Sequence, residues 1–222
     1  MITATYRTIP LELIKDASTY ISKMSDVKTS LNQPTGDFFY DKWIIKEEFK
    51  NTVWESILDF FPEDIGEARI INLSSGNCYL QHADIDDRYH LNVVGENSYF
   101  MDVDNQEIHK IENDGIIYEM DAGRIHSAVN LDCNDRYQLV VRKRLIQTQL
   151  VNPSRVIVRP IHEKARFIFD NKISPLLNEF NKQNTLANFK IISDGVSFDL
   201  QTDRLHELDN LDPTEFSLTI AT

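Results

Sequence analysis

The sequence predicts a mainly β chain with flanking helices (an α+β fold) built round an antiparallel sandwich or barrel. Two observations carry this. Between Ala68 and Leu145 the apolar or alternating runs ARIINL, NCYLQHAD, RYHLNVV, SYFMDV, EIHKIE, GIIYEM, IHSAVNL and RYQLVVRKRL follow one another, separated by clusters such as SSGN, DIDD, GENS and DCND. Strand-length runs with turn chemistry about every eight to twelve residues are the mark of an all-β core. The other observation is the change of texture after Pro62, before which apolar residues recur at the three-and-four spacing of helices.

Taken in order, residues 1–61 read as helical. Leu13, Ile14, Ala17, Tyr20, Ile21 and Met24 form one apolar stripe behind Pro10, whose missing N–H costs little at a helix start. SLNQPTG (30–36) is loop chemistry, and a second helix is expected over 47–60, with Phe49, Val53, Trp54, Ile57 and Leu58 on one side and Pro62 beyond it. The runs from Ala68 to Leu145 number eight, the strand count of a jelly roll. Beyond them a helix is expected over 165–184 and one or two strands over 189–200. The expected organisation is therefore residues 1–150 as a helical segment plus jelly-roll core, core strands about 68–145, and residues 151–222 as an extension packed on it.

Composition narrows the class of function. An apolar fraction of 41% supports a packed core, and the formal charge of −12 opposes the coating of nucleic acid or an anionic membrane surface, which relies on Lys and Arg. No apolar run approaches the roughly 18 residues of a membrane span, and the N-terminus lacks the layout of a signal peptide. Cys78 and Cys133 show no framework spacing, so reduced thiols filling small core positions, in a cytoplasmic protein, are expected. Residues 136–166 hold eight Lys/Arg against the single acid Glu163. This strip reads as a solvated basic face, with an acidic docking partner as the alternative.

The chemistry concentrates in the β-rich middle. His82 and Asp84 are two residues apart, so on a strand both side chains leave one face. One imidazole and one carboxylate are two thirds of the 2-His-1-carboxylate set that holds Fe(II) while leaving coordination positions open. His126, in RIHSAVN, is the candidate third ligand. Such a site retains net positive charge and suits a 2-oxo acid dianion, provided a cation meets the far carboxylate. Arg136, ten residues after His126 across NLDCND, would return beside it if 124–130 and 136–142 form a hairpin. Arg88 and His90 share a strand face and offer further hydrogen bonds to the same dianion. Asp86 and Asp87 read as turn residues; His109, His162 and His206 read as surface or structural. Asn130, Asn72 and Ser74 are weaker candidates for contact with bound groups, and Trp54, Phe60 and Phe61 read as core.

HADIDDRYHL followed by MDAGRIHSAVNLDCNDRYQLVVR resembles the aspartyl/asparaginyl β-hydroxylase family of Fe(II)/2-oxoglutarate-dependent oxygenases, which includes small bacterial proline hydroxylases. The resemblance covers roughly a third of the chain. It implies a double-stranded β-helix, a cupin-like jelly roll. His82, Asp84 and His126 match its catalytic metal ligands, Arg136 its anchor for the 2-oxoglutarate C5 carboxylate, and Arg88 and His90 the pair lining that pocket. It implies Fe(II), 2-oxoglutarate and O₂ as cofactor and cosubstrates, and hydroxylation of an amino acid, free or peptide-borne, with release of succinate and CO₂. Some peptide-modifying members lack the carboxylate ligand; Asp84 is present here, which leans towards a free amino acid. Two alternatives stay open: a cupin-type metal enzyme that does not use 2-oxoglutarate, and a non-catalytic jelly-roll binding module. No signal bears on oligomeric state.

Overall fold

The stretch ITATYRT, expected as helix, is strand β1 (Ile2–Thr8). Four of its seven residues are β-branched, a composition that favours extended backbone over helix. Helix α1 (Leu11–Ile21) follows Pro10 and buries Ile14, Ala17 and Ile21. The computed structural model describes residues 2–23, 28–162 and 165–221, so Met24, assigned to the same stripe, lies outside the described residues. Three short strands come next: β2 (Lys28–Ser30), β3 (Asn32–Pro34) and β4 (Trp43–Ile45). The helix expected over 47–60 is broken. A 3₁₀ turn at Glu47–Phe49 stops at Asn51, whose φ is +57°, and α2 (Val53–Leu58) restarts under a Thr52 cap that accepts the Trp54 N–H.

The core strands are β5 (Ile65–Leu73), β6 (Arg88–Val94), β7 (Ser98–Asp102), β8 (Glu107–Lys110), β9 (Ile116–Met120), β10 (His126–Asn130) and β11 (Arg136–Lys143). They form an antiparallel sheet in the order β1-β9-β6-β11-β5-β2 and a smaller one in the order β10-β7-β8. A bridge between Cys78 and Val129, with the Tyr79 N–H donating to the Ala128 carbonyl at 2.9 Å, adds residues around Cys78 as an extended segment beside β10. From β5 to β11 the chain thus alternates between two sheets, with one hairpin, β7–β8, staying in the second. That is the eight-strand topology of a double-stranded β-helix, the cupin-type jelly roll.

Period-two alternation decides what each face of the large sheet carries. Ala68, Ile70, Tyr89, Leu91, Val93, Ile117, Leu139 and Val141 point towards α1 and α2 and form one core with Ile14, Ala17, Trp54 and Ile57. Burying each of the Val, Leu and Ile side chains contributes roughly 1.5–3 kcal/mol. The opposite face carries the intervening residues, and these are largely polar.

The described chain divides into two compact units, residues 1–81 with 86–144, and residues 82–85 with 145–222. In the second, β12 (Pro153–Pro160), α3 (Ala165–Lys182), β13 (Leu186–Ile192), β14 (Gly195–Gln201) and β15 (Phe216–Ala221) give a sheet ordered β13-β14-β12-β15. The helix expected over 165–184 is α3, and the strands expected over 189–200 are the β13–β14 hairpin. Ile173, Leu177 and Phe180, one helical stripe, are buried, as are Val156, Val158, Val196, Phe198 and Leu200. Among the described residues no helix is long and apolar enough to cross a membrane.

Candidate metal centre

The polar face of the large sheet builds the candidate site. On β6, Arg88, His90 and Asn92 leave the side opposite Tyr89 and Leu91. On β11, Arg136, Gln138, Val140 and Arg142 do the same, and register pairs His90 with Val140 and Arg88 with Arg142. In the small sheet His126 pairs with Asp102, Ala128 with Phe100 and Asn130 with Ser98. The two faces meet: Arg136 Nη1 and Gln138 Nε2 each donate to Ser98 Oγ at 3.1 Å, and the His90 ring stacks edge-on to Phe100 at 4.6 Å. The interior is therefore graded. Arg136, Gln138 and Ser98 lie at one end, His90 and Phe100 in the middle, and His126 with Asp102 four residues along the strands, about 13 Å away at 3.3 Å per residue.

At that other end, ligand atoms of His82, Asp84 and His126 all lie within 4.8 Å of one another. Chain continuity explains the approach of His82. The Cys78–Val129 bridge and the Tyr79–Ala128 hydrogen bond bring the chain alongside β10, and His82 follows three residues after Tyr79. His82 Nε2 is 3.9 Å from Asp84 Oδ2, as expected for side chains two residues apart on extended backbone. His126 Nδ1 sits 2.8 Å from the Arg124 carbonyl, which can only accept, so Nδ1 carries the proton and Nε2 offers its lone pair. Asp102 is otherwise engaged: it accepts from the Asn105 backbone and side-chain amides at 3.0 Å each and holds Arg124.

Arg136 is the electrostatic anomaly. It is 2% exposed, its Nε has no partner, and its neighbours are Ser98 and the rings of Tyr79 and Phe100. None is a carboxylate. Burial lowers the guanidinium to about 10, a drop that the Tyr79 hydroxyl beside it opposes. The same burial raises the Tyr79 phenol. His90, 4% exposed, is pushed well below 6.5 by burial and then by the charges of Arg88 and Arg136. Its Nδ1 lies 3.4 Å from Gln138 Oε1, an acceptor, which leaves a neutral Nε2 facing the interior without a partner. As a neutral ring His90 therefore presents a lone pair there rather than the N–H donor that an anion requires.

Of the residues singled out in the sequence, His82, Asp84 and His126 come together, and Arg136, His90 and Arg88 line the polar face. Arg88 Nε reaches Asp86 Oδ1 at 3.3 Å, and Arg142 grips the other Asp86 oxygen. Asp86 sits on the bend before β6, as expected, and is in addition a buried ion-pair hub. The hairpin expected between 124–130 and 136–142 does not form, because the NLDCND loop carries the chain from one sheet to the other. Arg136 reaches the interior from the opposite wall. Cys78 and Cys133 are free but exposed, not core. Asn130 Nδ2 is spent on the Leu73 and Asn134 carbonyls, and Asn72 holds Asp135. Trp54 and Phe61 are core, as expected; Phe60 is partly buried against it. Within 136–166, Arg136 is buried, Arg142 pairs with Asp86, Lys143 with Glu119, Arg155 with Asp199 and Arg159 with Asp194, while Lys164 and the Arg166 side chain lie outside the described residues. Ser98, Gln138 and Tyr79 escaped the sequence reading; only Gln138, two residues past Arg136 on one strand face, left a signal there.

No protein-family model and no curated protein matches the chain. Solved structures similar to it include a Pseudomonas putida prolyl-4-hydroxylase (TM-score 0.44, 11% identity, 64% of this chain and 91% of that one). Two others are the DMSP lyase DddQ of Ruegeria pomeroyi DSS-3 (0.32, 11%, 67% and 80%) and the capsular polysaccharide assembling protein CapF of Staphylococcus aureus (0.32, 15%, 57% and 31%). The chain thus spans less than a third of CapF. At these identities and scores the likenesses carry no inference about activity.

Proposed function

We propose that the chain is an Fe(II)- and 2-oxoglutarate-dependent oxygenase of the aspartyl/asparaginyl β-hydroxylase type, hydroxylating an amino acid, free or peptide-borne. The observation that carries this reading is the pairing of a His-Asp-His cluster with a buried guanidinium that has no carboxylate partner among the described residues. Two imidazoles and one carboxylate suit Fe(II) and leave room for a chelating cosubstrate. An uncompensated buried cation is costly unless an anion arrives, and the far carboxylate of a five-carbon dianion is such an anion.

In this reading His82, Asp84 and His126 hold the metal, and the Arg124 carbonyl keeps His126 in the ligating tautomer. Arg136 takes the C5 carboxylate bidentately through the donors not given to Ser98. Gln138 and Tyr79 fix the guanidinium's surroundings, while Phe100 and Ala128 exclude water between the two ends. His90 and Arg88 line the same pocket, and an anion beside His90 draws a proton onto its free Nε2. When bound, the iron supplies oxygen activation coupled to decarboxylation of 2-oxoglutarate to succinate and CO₂, with transfer of one oxygen atom to a substrate C–H bond.

The test is turnover. Purified protein with Fe(II), ascorbate, O₂ and 2-oxoglutarate is screened against free amino acids and short peptides, with succinate and hydroxylated product measured together. The expected result is coupled formation of both, lost in His126→Ala. Product formation that continues without 2-oxoglutarate would assign the site to the cosubstrate-free metal enzymes instead.

A further inference from the structure

On the helix-bearing side of the first unit, α2, β4 and the start of β5 enclose a cleft of about 640 Å³, within the size range of small-molecule sites. It shares no residue with the barrel interior. Trp43, Phe61 and Leu58 give it apolar walls, and Trp43 and Phe61 are 8% and 6% exposed. Arg144, just past β11, lines it as well. Its Nη1 and Nη2 donate to the main-chain carbonyls of Tyr40 and Glu63 at 3.3 and 3.1 Å, and its Nε is buried with no partner. These contacts hold the guanidinium in place without a carboxylate. Among the described residues Arg144 forms no ion pair: Glu55, itself an anion, is turned to the Asn51 N–H, which it accepts at 2.6 Å, and Lys42, Asp59 and Glu63 are solvent-exposed, where water and salt screen them.

We propose that this cleft binds a small ligand bearing one carboxylate on an aromatic or branched apolar body, with the carboxylate on Arg144 and the body against Trp43 and Phe61. A fixed, half-buried guanidinium beside aromatic walls complements such a molecule in both charge and shape.

The probe is 3-phenylpropionate, compared with 3-phenylpropionamide, which keeps the body and removes the charge. Trp43 is the reporter, because Trp54, the other tryptophan, is fully buried in the core. Fluorescence titration of the full chain is expected to saturate with the acid and to show about tenfold weaker binding or worse for the amide. Arg144→Gln is expected to equalise the two, and Arg136→Met to leave the acid's affinity unchanged. The acid–amide comparison on unaltered protein keeps the test valid even if Arg144→Gln misfolds. Equal affinity for acid and amide, no saturation, or loss of acid binding in Arg136→Met would each overturn the proposal, the last by placing the acid in the barrel.

Discussion

Arg136 donates to Ser98 Oγ at 3.1 Å across the gap between the two sheets, in a site where it is 2% exposed. A neutral hydroxyl orients a guanidinium but does not neutralise it, so among the described residues the buried cation has no ion-pair partner.

Replacing that cation should stabilise the empty protein. Burial lowers the guanidinium from its ordinary value to about 10, equivalent to about 3 kcal/mol at 1.36 kcal/mol per pH unit. Because the folded value is the lower one, the cost is present in full throughout the neutral range and is relieved only as pH rises past 10. Arg136→Met is expected to raise the unfolding free energy of the apoprotein by about 1–3 kcal/mol while abolishing stabilisation by added 2-oxoglutarate. Urea denaturation with and without the dianion reads both effects. A destabilised apoprotein would mean that the arginine is an ordinary structural group.

His90 supplies a pH signature. Its imidazole is held well below 6.5, so the unfolded chain binds the proton more readily than the folded one. Stability from this residue is therefore complete above the unfolded value and declines as pH falls below it. Between about pH 7.5 and pH 5.5 the unfolding free energy of His90→Gln should fall less than that of the unaltered protein, by about 1 kcal/mol. Parallel pH profiles would sink this account of the ring.

Asn32 tests how the large sheet is closed. Its Nδ2 donates to the Gly66 carbonyl and its Oδ1 accepts the Ala68 N–H, both at 2.8 Å, and the side chain is 2% exposed. Asn32→Ala strands two backbone groups of β5 and is expected to cost about 2–4 kcal/mol in denaturant unfolding. A loss below about 0.5 kcal/mol would show that water replaces the amide without penalty.

The core strands were legible because one face of each is apolar, and alternation such as Tyr89, Leu91, Val93 against Arg88, His90, Asn92 can be read directly. Strand β1 was not, since Ile2 is its one buried residue and a strand exposed along most of its length leaves no apolar period. HxD spacing and the distant His126 pointed to the ligand cluster, as a two-residue step on extended backbone determines where both side chains go. The route by which Arg136 enters was misread, because a six-residue polar loop looks alike whether it closes a hairpin or crosses between sheets. Ser98 was out of reach for a related reason. Its role depends on the pairing of β7 with β10 and on the approach of β11 from the other wall, both long-range contacts without local trace.

The most direct measurement is anaerobic titration of the Fe(II)-loaded protein with 2-oxoglutarate, following the weak visible charge-transfer band of a chelated 2-oxo acid, with His82→Ala and Arg136→Ala alongside. The expected result is a saturable band that His82→Ala removes and that Arg136→Ala restores only at far higher 2-oxoglutarate. Iron bound at one per chain with no such band at any concentration of the dianion would contradict the central claim.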